Sequence, residues 1–440
     1  MSVLVATCVL FGLMLVFLAL GLPIALALGG SAVIFGVATT GMDSLFFMVS
    51  STLNNIRTII LIAVPLFIFM GNVLKVSGVA EDLYETAHKW IGGINGGLAI
   101  GTIIICTLFA ACTGISGAAT VTMGLIALPA MLKRKYDKNI AIGSVMGGGA
   151  LGILIPPSVG MILFGFMASE SVGRLFAGGI IPGLILSGLF IIYILVRCVM
   201  KPELGPPVPP AERASWKEKL VSLRGVILPI FLVIAVLGSI FTGFATPTEA
   251  AALGVAGALL CAVINRRFTL ASLKEALYKS ISLTAMVMWI VVGATAFTCV
   301  FASAGGSGLI KETLVGLEVS PLFIVVLMQL TLFILGMFME PTGILLLCTP
   351  IYVPVIRALG FSVVWFGVLF IINMEMAYLT PPFGYNLFYM RGIVPKEITM
   401  GDIYRSAIPF IIIQAIALAL ALLIPVLILW LPNLMFGAEL

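Results

Sequence analysis

The chain has 440 residues, of which 61% are hydrophobic and only 9% charged, with a net charge of +5 and a mean hydropathy of +1.25. A soluble chain keeps about 25% charged residues to solvate its surface, so this composition excludes a soluble multidomain protein and specifies an all-α integral membrane protein. Apolar runs such as Ile180–Val196 and Ile408–Leu431 are too long for barrel strands and lack their alternation.

In chain order, residues 2–20 and 22–40 predict two spanning helices, each near the ~20 residues a bilayer requires. They follow one another without a small-residue cleavage site, so the first reads as a span and not a signal peptide. Asp43–Arg57 has mixed faces, as expected of a helix lying along the membrane surface, and 59–77 is the next span. Residues 96–132 exceed one helix and are interrupted at Ala111–Gly117, which predicts a re-entrant hairpin. The span 139–167 carries Pro156-Pro157 inside it, and 176–197 follows. Residues 201–224 combine five prolines with Lys201, Arg213, Lys217, Lys219 and Arg224, and predict a cytoplasmic linker between a first half (1–200) and a second (225–440).

The second half predicts spans at 225–243 and 248–264, a surface helix at Arg266–Lys279, and a span at 281–304. A second re-entrant hairpin follows at 321–356, interrupted at Met339–Gly343, then a span at 363–389 carrying Pro381-Pro382 and a last one at 406–431. If both hairpins return to the side they entered from, nineteen of the 23 Lys and Arg fall on one side and four (Arg57, Arg174, Lys311, Arg357) on the other. The positive-inside bias makes the first side cytoplasmic, with both termini outside.

The halves resemble each other. Gly21-Leu-Pro23 pairs with Ala245-Thr-Pro247, Ser77-Gly78 with Ser307-Gly308, Thr113-Gly114 with Thr342-Gly343, and Ile155-Pro-Pro157 with Thr380-Pro-Pro382. The loop after the first hairpin, Lys133–Lys138, is strongly basic, while its counterpart holds only Arg357. Conversely Arg391–Arg405 is basic and Ser169–Arg174 is not. Equivalent loops therefore fall on opposite sides, as in an inverted repeat with broken helices, an architecture of secondary transporters.

Polar residues are few, and that narrows the chemistry. One histidine, His88, and seven scattered cysteines without a C-x-x-C pair argue against a metal centre, a disulfide scaffold or a Ser-His-Asp triad. Gly147, Gly149 and Gly152 spell G-x-G-x-x-G, but inside a membrane helix with no preceding strand, so they read as packing glycines. No phosphate-binding loop of the ATPase type occurs, so coupling falls to an ion gradient or a partner. At each hairpin tip, backbone that leaves the helix must be satisfied by protein, water or ligand. The half-helix ends and the hydroxyls of Thr113, Ser116 and Thr342 suit ions or substrate, or else serve helix packing. Carbonyls freed by the prolines, around Gly152–Ile155 and Ala377–Thr380, are oxygen donors for sodium. Glu340 and Glu375 are the acids placed deep in the second half. Glu340 could tune a cation site, carry a proton or stabilise packing in a wet crevice.

Four segments together carry a family likeness: Cys112-Thr-Gly-Ile-Ser-Gly-Ala118, Gly149-Ala-Leu-Gly-Ile-Leu-Ile-Pro-Pro-Ser158, Met339-Glu-Pro-Thr-Gly343 and Tyr378-Leu-Thr-Pro-Pro-Phe-Gly-Tyr-Asn386. Over essentially its whole length the chain resembles the large membrane subunit of the tripartite ATP-independent periplasmic (TRAP) transporters. The resemblance implies an elevator transporter of the ion-transporter-superfamily fold in the bacterial inner membrane, with no catalytic residues and no cofactor. It implies a small four-helix membrane subunit and a periplasmic substrate-binding protein as partners, and at least two sodium ions driving uptake of an organic acid such as a C4-dicarboxylate or sialic acid. Carried over by motif, one sodium site uses Thr113, Gly152, Ile155 and Pro157, and the other Thr342, Gly343, Ala377, Thr380 and Pro382. Substrate is expected at Ser116, Gly117, Thr342 and Glu340. The main alternative is a self-sufficient sodium–dicarboxylate symporter of the same fold. A non-transporting membrane scaffold has no need of two polar tips, and the net charge of +5 points to cytoplasmic loops and not to nucleic acid.

Overall fold

The computed structural model describes residues 2–438 apart from Ile115, so that one residue of the Cys112–Ala118 motif lies outside the described residues. The described chain is helical throughout, and eight of its helices are long and apolar enough to cross a membrane. Large apolar side chains such as Phe46, Phe231 and Trp430 stand exposed around it. Such a belt would be an aggregation liability in water but is the ordinary lipid-facing surface of a membrane protein.

Both over-long stretches fold as helical hairpins. The first comprises Gly97–Thr113 and Ser116–Lys133, the second Pro321–Gly336 and Pro341–Ala358. Both proline-bearing spans are broken. Lys138–Ala150 ends in a turn at Leu151–Ile153 and the chain resumes helix at Val159–Ala168, while Val363–Ala377 gives way to a non-helical stretch before Tyr385–Arg391. Proline has no N–H to donate and its ring clashes with the preceding turn, which accounts for both interruptions. Ser158 restarts the first broken helix as its cap, accepting from the Met161 N–H at 3.3 Å.

Two expectations change. Arg266–Lys279 is not a separate surface helix, because from Leu270 the chain runs in one 34-residue helix to Ser303. At 1.5 Å per residue it is about 50 Å long against a hydrocarbon core of about 30 Å, so its basic first turns continue the span into the headgroup region. The last span, 406–431, is two helices, Met400–Leu423 and Val426–Phe436, separated where Pro425 interrupts the ladder. Gly78 and Gly305 are both left-handed (φ +77° and +81°) immediately before a helix, whereas Gly308 is inside the helix. At the tips, Thr113 closes the incoming helix while Thr342 stands in the first turn of the outgoing one. The two threonines therefore occupy opposite sides of their tips.

Two groups of helices pack mainly among themselves. Ile24–Thr40, Ala63–Val76, Arg224–Phe241, Pro247–Ile264 and Leu270–Ser303 form one, and the hairpins, the broken helices and Met400–Leu423 form the other. The loops at the ends of the second group meet in pairs. Lys138, after the first hairpin, pairs with Asp402 at 2.6 Å, after the second broken helix. Arg357, after the second hairpin, donates to the carbonyl of Ala168 at 2.9 Å, at the end of the first broken helix.

The linker region is held to the segments flanking the first hairpin rather than left loose. Val208 N–H donates to Gly92 O (2.8 Å), Asp137 N–H to Leu204 O (2.9 Å), and Arg134 pairs with Glu212 at 2.8 Å. His88 is half-buried in this region, and burial, then the Arg134 charge, hold it below the usual histidine range.

The glycines of the false nucleotide fingerprint are packing positions. A Cβ on Gly147 would sit 2.3 Å from the Phe410 ring, and one on Gly149 would sit 2.0 Å from Thr120 Oγ1 and 2.8 Å from its Cα. The hairpin and the broken helix touch backbone to backbone here. Gly149→Ala should therefore destabilise the folded chain by about 1–3 kcal/mol, the range of an overpacked core, seen as a lower thermal-unfolding midpoint of the purified protein. An unchanged midpoint would mean that the two helices are not in this contact.

Candidate functional site

The first hairpin tip lies against the first break. Val159 N–H reaches Gly114 O at 3.4 Å, and a Cβ on Gly114 would fall 2.5 Å from Pro157 O. Gly114 is left-handed (φ +64°), which a residue with a side chain adopts only with strain. Thr113 is fully buried and its hydroxyl donates to Phe109 O at 3.0 Å, so only the oxygen lone pairs remain for a further partner. Gly152, Ile155 and Pro157 are buried, with the Leu151–Ile153 turn packed on the incoming helix and Ile155 against Gly183 of Val172–Met200. The structure thus brings Pro157 and the turn holding Gly152 to the first tip, and Ile155 to a neighbouring helix.

The second set is looser. Gly336 of the incoming helix presses on Ala377, where an added Cβ would lie 2.4 Å from the alanine Cβ. Thr380 is buried and donates to Met376 O at 2.8 Å, but Pro382 is exposed. Thr342 donates to Glu340 Oε1 at 2.7 Å, and the Gly343 N–H donates to Glu340 Oε2 at 3.1 Å. Glu340 thus caps the outgoing helix, where its charge meets the positive end of the helix dipole.

Ser116 has a role in joining the two halves. Its hydroxyl donates to Asn386 Oδ1 at 3.1 Å, and Asn386 Nδ2 reaches Met146 O at 3.4 Å, so the first hairpin, the first broken helix and the second are tied through one buried amide. Gly117 lies under the Tyr389 ring, which an added Cβ would approach to 2.7 Å. Sequence reasoning did not select Asn386, Tyr378, Tyr385 or Tyr389 as site residues. All four lie in the Tyr378–Asn386 motif or one turn beyond it, which was the available signal.

These parts enclose adjoining cavities. One, of about 100 Å³, is lined by Gly114 and Gly117 from the first tip, Glu340 and Thr342 from the second, Val159 and Gly160 after the first break, and Tyr378 after the second broken helix. The other, about 520 Å³, shares Met286, Glu340, Tyr378 and Tyr389 with it and extends to Pro23–Leu26, Trp289 and Tyr385. Among the described residues no Lys, Arg or His lines either one.

Glu375 is elsewhere. It is fully buried between its own helix and Met400–Leu423, where Gln414 is its polar neighbour, and neither of its oxygens has a hydrogen-bond partner. Two residues away, Asn373 donates to Gln329 O and Oε1 (2.7 and 2.8 Å), fastening the broken helix to the second hairpin.

A polytopic all-helical bundle with two hairpin tips and two helix breaks around one buried cavity has the fold of a membrane transport protein. It superposes on the solved structure of the YdaH transporter of Alcanivorax borkumensis with a TM-score of 0.64 over 93% of this chain and 98% of that one, at 14% identity. Residues 11–427 match the DctM component of the tripartite ATP-independent periplasmic transporters, and the chain belongs to that family as a large permease subunit of the bacterial inner membrane. It is 31% identical to the C4-dicarboxylate TRAP transporter large permease DctM of Vibrio cholerae (99% of each chain). It is equally 31% identical to the ectoine TRAP transporter large permease TeaC of Halomonas elongata (98% of this chain, all of that one) and to the sialic acid TRAP transporter large permease SiaM of Vibrio cholerae (95% and 96%). These relatives are transporter subunits and not enzymes.

The environment of Glu375 yields a test. Among the described residues Glu375 has no ion pair and only the Gln414 amide as a polar neighbour, so the fold does not depend on a charge there. Glu375→Gln should fold and unfold within about 1 kcal/mol of the unaltered chain, the scale of one hydrogen bond, by thermal unfolding and monodispersity. Glu375→Lys should not accumulate, because it forces a cation into the same place. A marked loss of stability in Glu375→Gln would show that the carboxylate has an ionic partner.

Proposed function

We propose that this permease is the membrane core of a sodium-driven system that takes up a small organic acid, of the C4-dicarboxylate or sialic acid type, by an elevator movement. A periplasmic binding protein delivers the substrate, and a small four-helix membrane subunit completes the membrane part. The observation that carries this reading is the meeting of both tips and both breaks at one cavity deep in the bundle. Sodium would occupy the oxygen cages at Thr113, Gly152, Ile155 and Pro157, and at Thr342, Gly343, Ala377, Thr380 and Pro382, next to substrate at Ser116, Gly117, Thr342 and Glu340. The division of the helices into two packed groups supports a core that moves against a scaffold. The self-sufficient symporter is the second reading, and the family membership weighs against it.

The loop contacts support an inverted arrangement of 1–200 and 225–440 about the 201–224 linker. The Lys138–Asp402 pair joins the end of the first hairpin to the end of the second broken helix, and the Arg357–Ala168 bond joins the converse ends. On that arrangement Lys135 is cytoplasmic and Arg357 periplasmic, and both are exposed. In a background without the native cysteines, Lys135→Cys and Arg357→Cys should label from opposite sides with an impermeant thiol reagent. Labelling from one side overturns the inversion.

Sodium coupling is tested at the two threonines. Each offers a single side-chain oxygen among backbone ligands, so losing it costs on the order of 1 kcal/mol, about fivefold in affinity. In proteoliposomes with all three components, Thr113→Ala and Thr342→Ala should each raise the sodium concentration for half-maximal uptake by about that factor. Thr113→Val keeps the shape and should behave like Thr113→Ala. An unchanged sodium dependence makes both hydroxyls packing groups. Robust uptake without the binding protein favours the symporter.

A further inference from the structure

We propose that the 201–224 linker and the end of the Val79–Ile91 helix form a binding site for the phosphate-bearing headgroup of an anionic membrane lipid. Arg213 and Lys219 are its cationic groups, and Trp90 and Trp216 its aromatic anchors. The site is separate from the tips and breaks and does not depend on what they carry.

Depth is the first ground. Trp216–Ser222 and Arg224–Phe241 are joined through Leu223, itself in helical conformation (φ −59°, ψ −20°), so they form one nearly continuous rod of 26 residues. At 1.5 Å per residue the rod is about 39 Å long against a hydrocarbon core of about 30 Å, which leaves about six residues outside it. The charges choose the end. Lys217, Glu218, Lys219 and Arg224 fall in its first part, and Gly225–Phe241 holds no charged residue. Trp216 and Lys219 therefore stand at headgroup depth.

The second ground is a face that the protein leaves uncovered. No residue of Trp216–Ser222 is buried. Trp216, Leu220 and Leu223 follow one another at the spacing of a single helical stripe, and they are 72, 59 and 36% exposed. At 100° per residue Lys219 borders this stripe on one side, and Lys217 and Arg224 border it on the other. The protein holds the helix through its backbone instead. Thr86 donates to Ser222 O at 2.8 Å and Trp90 Nε1 to Lys219 O at 3.1 Å. An apolar stripe flanked by basic residues lays its stems along the acyl boundary and its charges among the phosphates.

The third ground is a cavity with two unmatched cations. It measures about 610 Å³, and its walls include Lys89, Trp90, Glu212, Arg213, Glu218 and Lys219. Both acids are engaged elsewhere, Glu212 with Arg134 at 2.8 Å and Glu218 with the Ser215 N–H at 2.7 Å in its own capping box. Lys89 is matched by Glu85 at 2.5 Å. Among the described residues Arg213 and Lys219 have no carboxylate partner. Arg213 is nevertheless fixed in place. Its Nε donates to Val208 O at 3.0 Å, and it lies across Gly93, where an added Cβ would come within 3.2 Å of Nε. Its terminal nitrogens keep their donors, in the fork that matches two phosphate oxygens. Lys219 Nζ stands 5.1 Å from the centre of the Trp216 ring, and Trp216 meets Trp90 edge to face at 6.2 Å. Indole rings of this kind favour the headgroup layer.

Together these features select a lipid over a free anion. Inorganic phosphate would use the two cations but leave the Trp216–Leu223 stripe uncovered. A lipid uses both, because its acyl chains lie along the stripe while its phosphate meets Arg213 and Lys219. The bordering Lys217 and Arg224 favour a headgroup of net negative charge over a zwitterionic one.

The test uses the chain purified with its small membrane subunit in a neutral detergent, with bound lipid counted by native mass spectrometry. The probes are phosphatidylglycerol, phosphatidylcholine with the same acyl chains, and inorganic phosphate. Phosphatidylglycerol should bind more tightly than phosphatidylcholine, and millimolar inorganic phosphate should not displace it. The double variant Arg213→Gln/Lys219→Gln should weaken phosphatidylglycerol binding at least about tenfold. Lys396→Gln/Arg405→Gln removes the same charge beyond the second broken helix and should leave binding within about twofold. Equal binding of the two lipids, equal losses in the two double variants, or intact binding in Arg213→Gln/Lys219→Gln overturns the proposal. Displacement by inorganic phosphate assigns the cations to a soluble anion and overturns it as well. If that double variant does not fold, Lys219→Gln alone should weaken binding about threefold, and an unchanged affinity overturns the proposal.

Discussion

Backbone that leaves a helix at membrane depth has to find its hydrogen bonds in protein, water or ligand, since lipid offers none. In this permease that requirement arises four times, at two hairpin tips and two proline breaks, and the fold meets it by bringing them together. Gly114 packs on Pro157, and Val159 N–H bonds across to Gly114 O. The close approach depends on residues without a Cβ at Gly114 and Gly149, and on a positive φ at the first. Everything else in the core, from Ser116 on Asn386 to Asn373 on Gln329, fixes how the four interruptions face one another.

The two halves carry the same devices with different chemistry. The first tip and break are closed, buried and neutral, and every candidate oxygen there belongs to backbone or to Thr113. The second tip holds an acid at its helix start, and its break is partly open at Pro382.

Similarity and site chemistry answer different questions here. The family follows from the match over residues 11–427 and from the relatives, which extend over nearly the full chain. Specificity does not, because relatives named for dicarboxylate, ectoine and sialic acid transport fall within 31–34% identity of the chain. A few wall residues set which solute binds, and they are a small share of the positions that identity counts.

The sequence by itself determined the membrane class, the two hairpins, the two broken helices and the family, because each rests on local signals. These are the length of an apolar run, a glycine-bearing polar interruption within it, and a proline pair inside a span. It set the Thr113 tip against the proline break through the repeat pattern, and placed Glu340 beside the second tip. The tertiary structure alone decided which sides of the tips Thr113 and Thr342 take. It also decided that Arg266–Lys279 continues into a span, that 406–431 breaks at Pro425, and that the linker grips the segments flanking the first hairpin. The physical reason is distance along the chain. Ser116 and Asn386 are 270 residues apart and Asn386 and Met146 are 240, and no local pattern of hydropathy or turn residues encodes which such groups will share a cavity wall.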